Sequence, residues 1–146
     1  MRREPLLVRA VPALLALVLG LDARNACAEV VAVVSTRNTV SALSRIQVID
    51  IFLGKASRFP DGTQAVPIDQ AEGSASRDEF YLRFAGKSPA QLNAHWSKII
   101  FTGRGQPPRA VANGADLKMR LAENPNAIGY LEQDQVDQSV RVIVAR

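Results

Sequence analysis

The chain is organised around residues 70–80, which read QAEGSASRDEF. A β-type run at residues 65–68 leads into this stretch, and a helix-type run at residues 78–84 leads out of it. The residues between the two runs are small, so the backbone there can approach a ligand closely. Free N–H groups at a helix start and the positive end of the helix dipole favour bound anions. The stretch therefore predicts a strand–loop–helix anion site or, more simply, a capped helix.

The polar side chains of the stretch are compatible with both interpretations. Ser74 or Ser76 can cap the helix, and Ser76 with Glu79 fits a capping box. The same serine hydroxyls can donate hydrogen bonds to an oxyanion. Arg77 either pairs with Asp78 or Glu79 on the helix or projects toward an anion. The stretch alone leaves these alternatives open.

The amino-terminal residues have the composition of a secretory signal peptide. Basic residues precede an apolar run at residues 11–21, and the small residues Ala26-Cys27-Ala28 follow it. We predict a signal peptide over residues 1–28, general secretion and a periplasmic location. The apolar run is too short for a comfortable transmembrane span. Arg24 and Asn25 do not fit the small or apolar residues that precede a lipidated cysteine, so a lipoprotein is the weaker alternative.

Residues 29–146 are expected to form one domain. Four of the 18 basic residues and two of the 14 acidic residues lie in residues 1–28, which leaves the rest a net charge of +2. No basic block remains, which argues against nucleic acid as a partner. Cys27 is the only cysteine, so no disulfide is expected after cleavage. The domain must be held together by its hydrophobic core.

Four strands are predicted from the apolar patterns. The valine-rich run at residues 29–35 indicates a buried strand that is central and parallel. Further strands are predicted at residues 63–68, 127–131 and 140–144. Gly129 interrupts the third of these, at a position where another group can approach the strand closely.

Helices are predicted between these strands. Capping boxes begin helices at Ser44 and Ser88, the first of which ends at Gly54, and Asn113 or Gly114 opens another. Apolar residues at helical spacing follow Ser88 and predict a buried face: Leu92, Trp96, Ile99, Ile100 and Phe101.

Alternating strands and helices indicate the α/β class, with a small mixed, mostly parallel sheet of four or five strands flanked by helices. In open α/β sheets, ligands bind outside the carboxyl ends of the strands. The loop at residues 73–77 follows a strand in this way, which supports the anion site over the bare cap.

Three blocks of the chain carry a family resemblance. Residues 43–55 (LSRIQVIDIFLGK) form a serine-capped helix with an I-F-x-G-K ending, residues 73–80 read GSASRDEF, and residues 124–130 read NPNAIGY. Together they resemble, in the same order, the blocks of periplasmic phosphate-binding proteins of ABC transporters, whose loops read G-S-G-T-R…F and N-P-G-A-I-G-Y. The resemblance implies a type II periplasmic-binding-protein fold, of which residues 29–146 would form one lobe.

The resemblance also implies a ligand site. Ser74 and Ser76 match the serine and threonine whose hydroxyls bind phosphate oxygens, and Ala75 matches a glycine whose N–H binds. Gln70 stands where the closest phosphate binders have an arginine, so a neutral amide replaces a charged fork. The predicted ligand-binding residues are Gln70, Gly73, Ser74, Ala75, Ser76 and Arg77.

The chain resembles only the later half of such a protein. The first-lobe segment, with its own serine/threonine phosphate loop and an acidic residue that accepts the phosphate proton, has no counterpart here. The domain would then bind with one lobe, pair with another copy of itself as a homodimer, or have lost the ligand. Trp96, residues 101–103 and Pro107-Pro108 look like features of a small-sized branch of the same superfamily.

Other kinds of site are less well supported. His95 is the only histidine and has no neighbours at metal-ligand spacing, so a surface or half-buried residue is expected rather than a metal site. No nucleophile-elbow pattern surrounds Ser74, which argues against a hydrolase. Residues 103–108 lack the third glycine of a dinucleotide loop, and an exposed loop that contacts a partner is the alternative.

Two functions follow from these features. The first is an exported solute-binding-type domain that binds phosphate or a related oxyanion and serves ABC-type phosphate uptake beside a permease. Such a domain makes and breaks no bond, so it is not an enzyme and needs no cofactor. The second is an interaction or sensor module of the cell envelope on the same fold, with no transported ligand.

Overall fold

The computed structural model describes residues 29–143. The predicted signal peptide and the end of the last predicted strand lie outside these residues. The elements in chain order are β1 (Val30–Ser35), α1 (Arg45–Phe52), β2 (Val66–Gln70), α2 (Ala75–Ala85), α3 (Pro89–Phe101), β3 (Arg109–Val111), α4 (Gly114–Glu123), β4 (Ala127–Glu132), a 3-10 turn (Gln133–Gln135) and β5 (Val140–Val142).

The strands form one five-stranded sheet in the order β3-β2-β4-β1-β5. β2 is parallel to β3 and to β4, whereas β1 is antiparallel to both of its neighbours, β4 and β5. All strands except β1 therefore run in one direction, which confirms the predicted mixed, mostly parallel sheet. The prediction that β1 is parallel is wrong, although its central position is correct. Its valine run reflects burial on both faces, and that burial does not depend on strand direction.

Helices cover both faces of the sheet. Val30, Ala32 and Val34 of β1 point to the side of α1, α2 and α3, where they join one core cluster with Phe52 and Phe80. The alternate residues of β1 and β4 point to α4 and form a second cluster around Leu117 and Leu121. Within residues 29–143, the two clusters extend from Val30 to Ile143.

The predicted helix starts are confirmed at three of the four helices. Ser44 and Ser88 each form a reciprocal capping box, with Gln47 and Gln91 respectively, and Asn113 caps α4. At α2 the cap is Ser74, whose Oγ accepts a hydrogen bond from the Arg77 amide at 3.2 Å. The capping box of Ser76 with Glu79 does not form, because the helix already begins at Ala75.

Two strand predictions and one helix face need correction. β2 begins at Val66 instead of residue 63, because Thr63 takes part in a turn in which its carbonyl accepts from the Phe59 amide. β3 was not predicted, since a three-residue edge strand of mixed exposure carries no clear alternation. Ile100 and Phe101 are both exposed, and Phe101 lies about two and a half turns after Leu92, on the opposite side of α3.

Gly129 of β4 is a point of close approach, as predicted. A Cβ atom at this position would lie 2.5 Å from Cδ1 of Leu117, so α4 packs directly on the glycine backbone. No helix among residues 29–143 is long and apolar enough to span a membrane.

Candidate functional site: the loop between β2 and α2

The loop between β2 and α2 leaves the sheet at the carboxyl end of β2, beside the end of the parallel strand β4. Gly73 has a φ of +85°, a conformation that glycine adopts without strain and that turns the chain into the helix. Ser74 then caps α2, and the amides of Ala75 and Ser76 have no acceptor among the described residues. These two N–H groups at the positive end of an 11-residue helix are what an anion could bind.

A carboxylate of the protein lies next to this helix start. The Ser76 hydroxyl donates a hydrogen bond of 2.8 Å to Oε1 of Glu132, the last residue of β4. Glu132 is half-buried, and the negative charge of its carboxylate is favourable near the helix N-terminus. An incoming oxyanion would therefore meet a like charge and would compete with Glu132 for the Ser76 hydroxyl.

Directly beneath the loop, a buried carboxylate collects several hydrogen bonds. Asp69, which is 3% exposed, accepts from the hydroxyls of Tyr81 (2.7 Å) and Tyr130 and from the amide of Gln70 (2.8 Å). Burial, followed by the negative charge of Asp69, raises the pKa of both tyrosine hydroxyls above the usual value. Both hydroxyls consequently stay protonated and act as donors, which satisfies the buried charge.

Arg77 completes this buried group of polar residues. Its Nε lies 3.5 Å from Oδ2 of Asp69, and its guanidinium carbon lies 5.6 Å from the centre of the Tyr81 ring. The side chain is largely buried, and its Nη1 has no hydrogen-bond partner among the described residues. Arg77 pairs with neither Asp78 nor Glu79, so its positive charge compensates Asp69 below the loop.

Gln70 lies at the end of β2 and is 4% exposed. Its side-chain amide donates a hydrogen bond of 2.9 Å to the carbonyl of Tyr130, and its backbone amide also donates to the Tyr130 hydroxyl at 3.1 Å. The residue thus ties β2 to β4 under the loop. Of the predicted ligand-binding residues, Gly73, Ser74, Ala75 and Ser76 line the loop, whereas Gln70 and Arg77 make buried contacts with the strands.

His95 is half-buried on α3, as predicted, with its Nε2 at 3.0 Å from the carbonyl oxygen of Leu53. Residues 29–143 contain no group of three or more His, Cys, Asp and Glu side chains that could hold a metal ion. Trp96 packs in the core, as predicted.

Four residues around the loop were not predicted from the sequence: Asp69, Tyr81, Tyr130 and Glu132. An acidic residue at the end of a predicted strand was the available signal for Asp69. Tyr130 and Glu132 lie near the loop because β4 pairs beside β2, so their role depends on a strand pairing that is distant in sequence. Tyr81 lies on α2, 12 residues after Asp69, and its contact with Asp69 is local in sequence.

No protein-family model matches the sequence, and no curated protein matches it. Among solved structures, a protein of Clostridium perfringens described as a phosphate ABC transporter substrate-binding protein, solved with bound phosphate, matches with a TM-score of 0.63 and 22% identity. An ABC-type phosphate transport receptor of Vibrio cholerae matches with a TM-score of 0.61 and 20% identity. PstS of Borrelia burgdorferi matches with a TM-score of 0.55 and 12% identity.

These matches cover 80%, 78% and 80% of this chain but only 44%, 44% and 47% of the three solved chains. The chain therefore spans less than half of their length. At these identities the likeness concerns the fold alone. The chain accordingly has a periplasmic-binding-protein-like fold.

Proposed function

We propose that this chain is an exported solute-binding-type domain that binds phosphate or a related oxyanion at the loop between β2 and α2. The observation that carries the proposal is the pair of unpartnered amides, on Ala75 and Ser76, at the start of α2. They lie at the carboxyl edge of the parallel strands, on a fold shared with proteins that are described as phosphate binders.

The ligand would be held by hydrogen bonds from neutral groups. The amides of Ala75 and Ser76 would donate to one oxyanion oxygen, and the Ser76 hydroxyl to another once it leaves Glu132. Gly73 lets the loop backbone approach, while Gln70 and Arg77 support the loop from below. This site forms and breaks no covalent bond, so we propose a binding protein of the periplasm and not an enzyme.

The charged groups next to the loop have other contacts. Arg77 contacts Asp69 through its Nε, and position 70 is a glutamine, which lacks the charged fork of an arginine. We therefore expect weaker binding than in a site enclosed by two lobes. A second copy of the chain or the permease of an ABC transporter would supply the facing surface.

A second function is favoured by a different contact. The Ser76 hydroxyl already has an acceptor within the chain, in Glu132, so the helix start is stable without a ligand. This contact suits an interaction or sensor module of the cell envelope that keeps the fold and has no transported ligand. The two functions differ in whether free oxyanion binds.

The test is a thermal-unfolding titration of residues 29–146 with phosphate, arsenate and sulfate. A ligand that binds only the folded state raises the unfolding temperature as its concentration increases. We expect a rise with phosphate that Ser76→Asp abolishes, since the new carboxylate occupies the anion position. Ser88→Asp is the matched control, because it adds the same charge at the start of α3, where Asp is also a good cap. No rise at millimolar phosphate would favour the second function.

A further inference from the structure

The carboxyl-terminal end of α3 carries an apolar surface that the fold does not use. Phe101 is 91% exposed and Ile100 is 53% exposed, and the two are consecutive at the end of the helix. Lys98 and Arg104 flank them and are also exposed. We call Lys98, Ile100, Phe101 and Arg104 the α3 tip.

The residues near the α3 tip in sequence carry charge of a single sign. The sequence contains no acidic residue from position 80 to position 115, and its basic residues from position 89 onward in this range are Lys98, Arg104 and Arg109. None of these three cations lies in a salt bridge among the described residues, whereas Arg77, Arg83, Lys118 and Arg120 do. The two exposed apolar residues of the tip are thus flanked along the chain by cations that lie in no salt bridge of residues 29–143.

The shape and size of the tip decide between kinds of partner. A side chain that is 91% exposed stands out of the surface and does not line a groove. Phe101 and Ile100 together offer on the order of 250 Å² of apolar surface, far below the roughly 800 Å² that each side of a stable protein interface buries. A lipid bilayer needs no such area, because its headgroup region accommodates a single aromatic side chain and attracts surrounding cations.

We propose that the α3 tip docks on the surface of a bilayer that contains anionic phospholipid. Phe101 and Ile100 would enter the headgroup region, while Lys98 and Arg104 lie near the lipid phosphates. The loop after Phe101 enters β3 at the amino end of the parallel strands, whereas the anion loop leaves β2 at its carboxyl end. Docking therefore leaves the anion loop free, and the proposal does not rest on oxyanion binding.

The test is co-sedimentation of residues 29–146 with phosphatidylcholine vesicles that contain or lack phosphatidylglycerol. We expect binding to the anionic vesicles that weakens as salt is added, because salt screens exposed charges. Phe101→Ser should weaken this binding about tenfold, through the loss of one buried aromatic side chain. Replacing Lys98 and Arg104 by glutamine should weaken it about fivefold for each charge.

Leu82→Ser is the matched control, because Leu82 is also exposed, at 59%, but lies on α2 beside Arg83, which is paired with Glu29. This variant should bind the vesicles like the unchanged protein. Circular dichroism should show that Phe101→Ser remains folded, since an exposed side chain contributes little to the core. The absence of binding to anionic vesicles, or binding that Phe101→Ser leaves unchanged, would overturn the proposal. A dimer that Phe101→Ser dissociates, without vesicle binding, would assign the tip to a second copy of the chain.

Discussion

At the residue scale, burial and the charge of Asp69 together govern the ionisation of Tyr81 and Tyr130. Its buried carboxylate is surrounded by the hydroxyls of Tyr81 and Tyr130, and both have a pKa raised above 10 by burial and by this charge. In the unfolded chain both tyrosines ionise near pH 10. The folded state therefore holds its protons longer, so this contribution to stability is complete below pH 10 and declines as the pH rises above it.

We predict a fall in the free energy of unfolding of roughly 1.4 kcal/mol per pH unit for each of the two tyrosines above pH 10. Urea denaturation of residues 29–146 at pH 8, 10 and 11 measures this slope. Tyr81→Phe should be less stable at pH 8 but should show a shallower slope, because one of the two groups is gone. Lysines also titrate in this pH range, but they contribute equally to the slopes of the unchanged protein and of Tyr81→Phe. Their contribution therefore cancels when the two slopes are compared. Equal slopes would show that Tyr81 ionises in the folded state as easily as in water.

Glu132 leads to a second prediction at the residue scale, which rests on the proposed function. Its carboxylate accepts from the Ser76 hydroxyl and so places a negative charge beside the expected ligand position. Glu132→Gln removes that charge and should strengthen phosphate binding about fivefold, the effect of about 1 kcal/mol of repulsion across a few ångströms of water. Calorimetric titration with phosphate measures the affinity. Glu123→Gln, an exposed change at the end of α4, should leave it unchanged.

A weaker affinity in Glu132→Gln would contradict this account. It would mean that the Glu132 carboxylate accepts a hydrogen bond from the bound ligand instead of repelling it.

At the scale of elements, features that depend on residues close in sequence were predicted better than features that depend on strand pairing. The caps at Ser44 and Ser88 could be predicted because each lies within four residues of its partner. The direction of β1 could not be predicted, because it depends on which strands pair with it from about 100 residues away. The exposed side of α3 on which Phe101 lies could have been predicted from the helical period alone. The run of three apolar residues at positions 99–101 suggested burial instead.

The contact between α4 and β4 leads to a prediction at the same scale. Leu117 packs on Gly129 so closely that an added Cβ atom would lie within 3.0 Å of three of its side-chain carbons. Gly129→Ala should therefore lower the free energy of unfolding by about 1–3 kcal/mol through overpacking. Gly105→Ala is the matched control, since a Cβ atom there would make only an ordinary contact of 3.6 Å with Ile99.

A double-mutant cycle tests the stated cause. If the two side chains collide, Gly129→Ala combined with Leu117→Ala should cost less than the sum of the two separate changes. Additive costs would mean that the glycine is needed for its backbone and not for the space it leaves.

At the scale of the molecule, the sequence predicts the loop and its place in the fold but not the buried group beneath it. Residues 73–76 are adjacent in the chain, so their small size and their serines reveal a turn into a helix. Asp69, Tyr130 and Glu132 converge only after β2 and β4 have paired across about 60 residues. Arg77 turns inward to Asp69, a choice that residues 70–80 leave open.

Residues 29–143 form one sheet with a core cluster on each face, and the final prediction follows from this arrangement. Leu121 is fully buried in the cluster under α4, and Trp96, the only tryptophan, lies in the cluster on the other face. Because β1 and β4 each contribute residues to both clusters, neither cluster can unfold without the sheet that supports the other. Leu121→Ala should therefore lower the free energy of unfolding by about 2–5 kcal/mol. Trp96 fluorescence and circular dichroism should report the same shifted transition in urea.

Met119→Ala, an exposed change on the same helix, should leave both transitions in place. A Trp96 transition that stays in place while circular dichroism shifts would show that the two faces unfold separately.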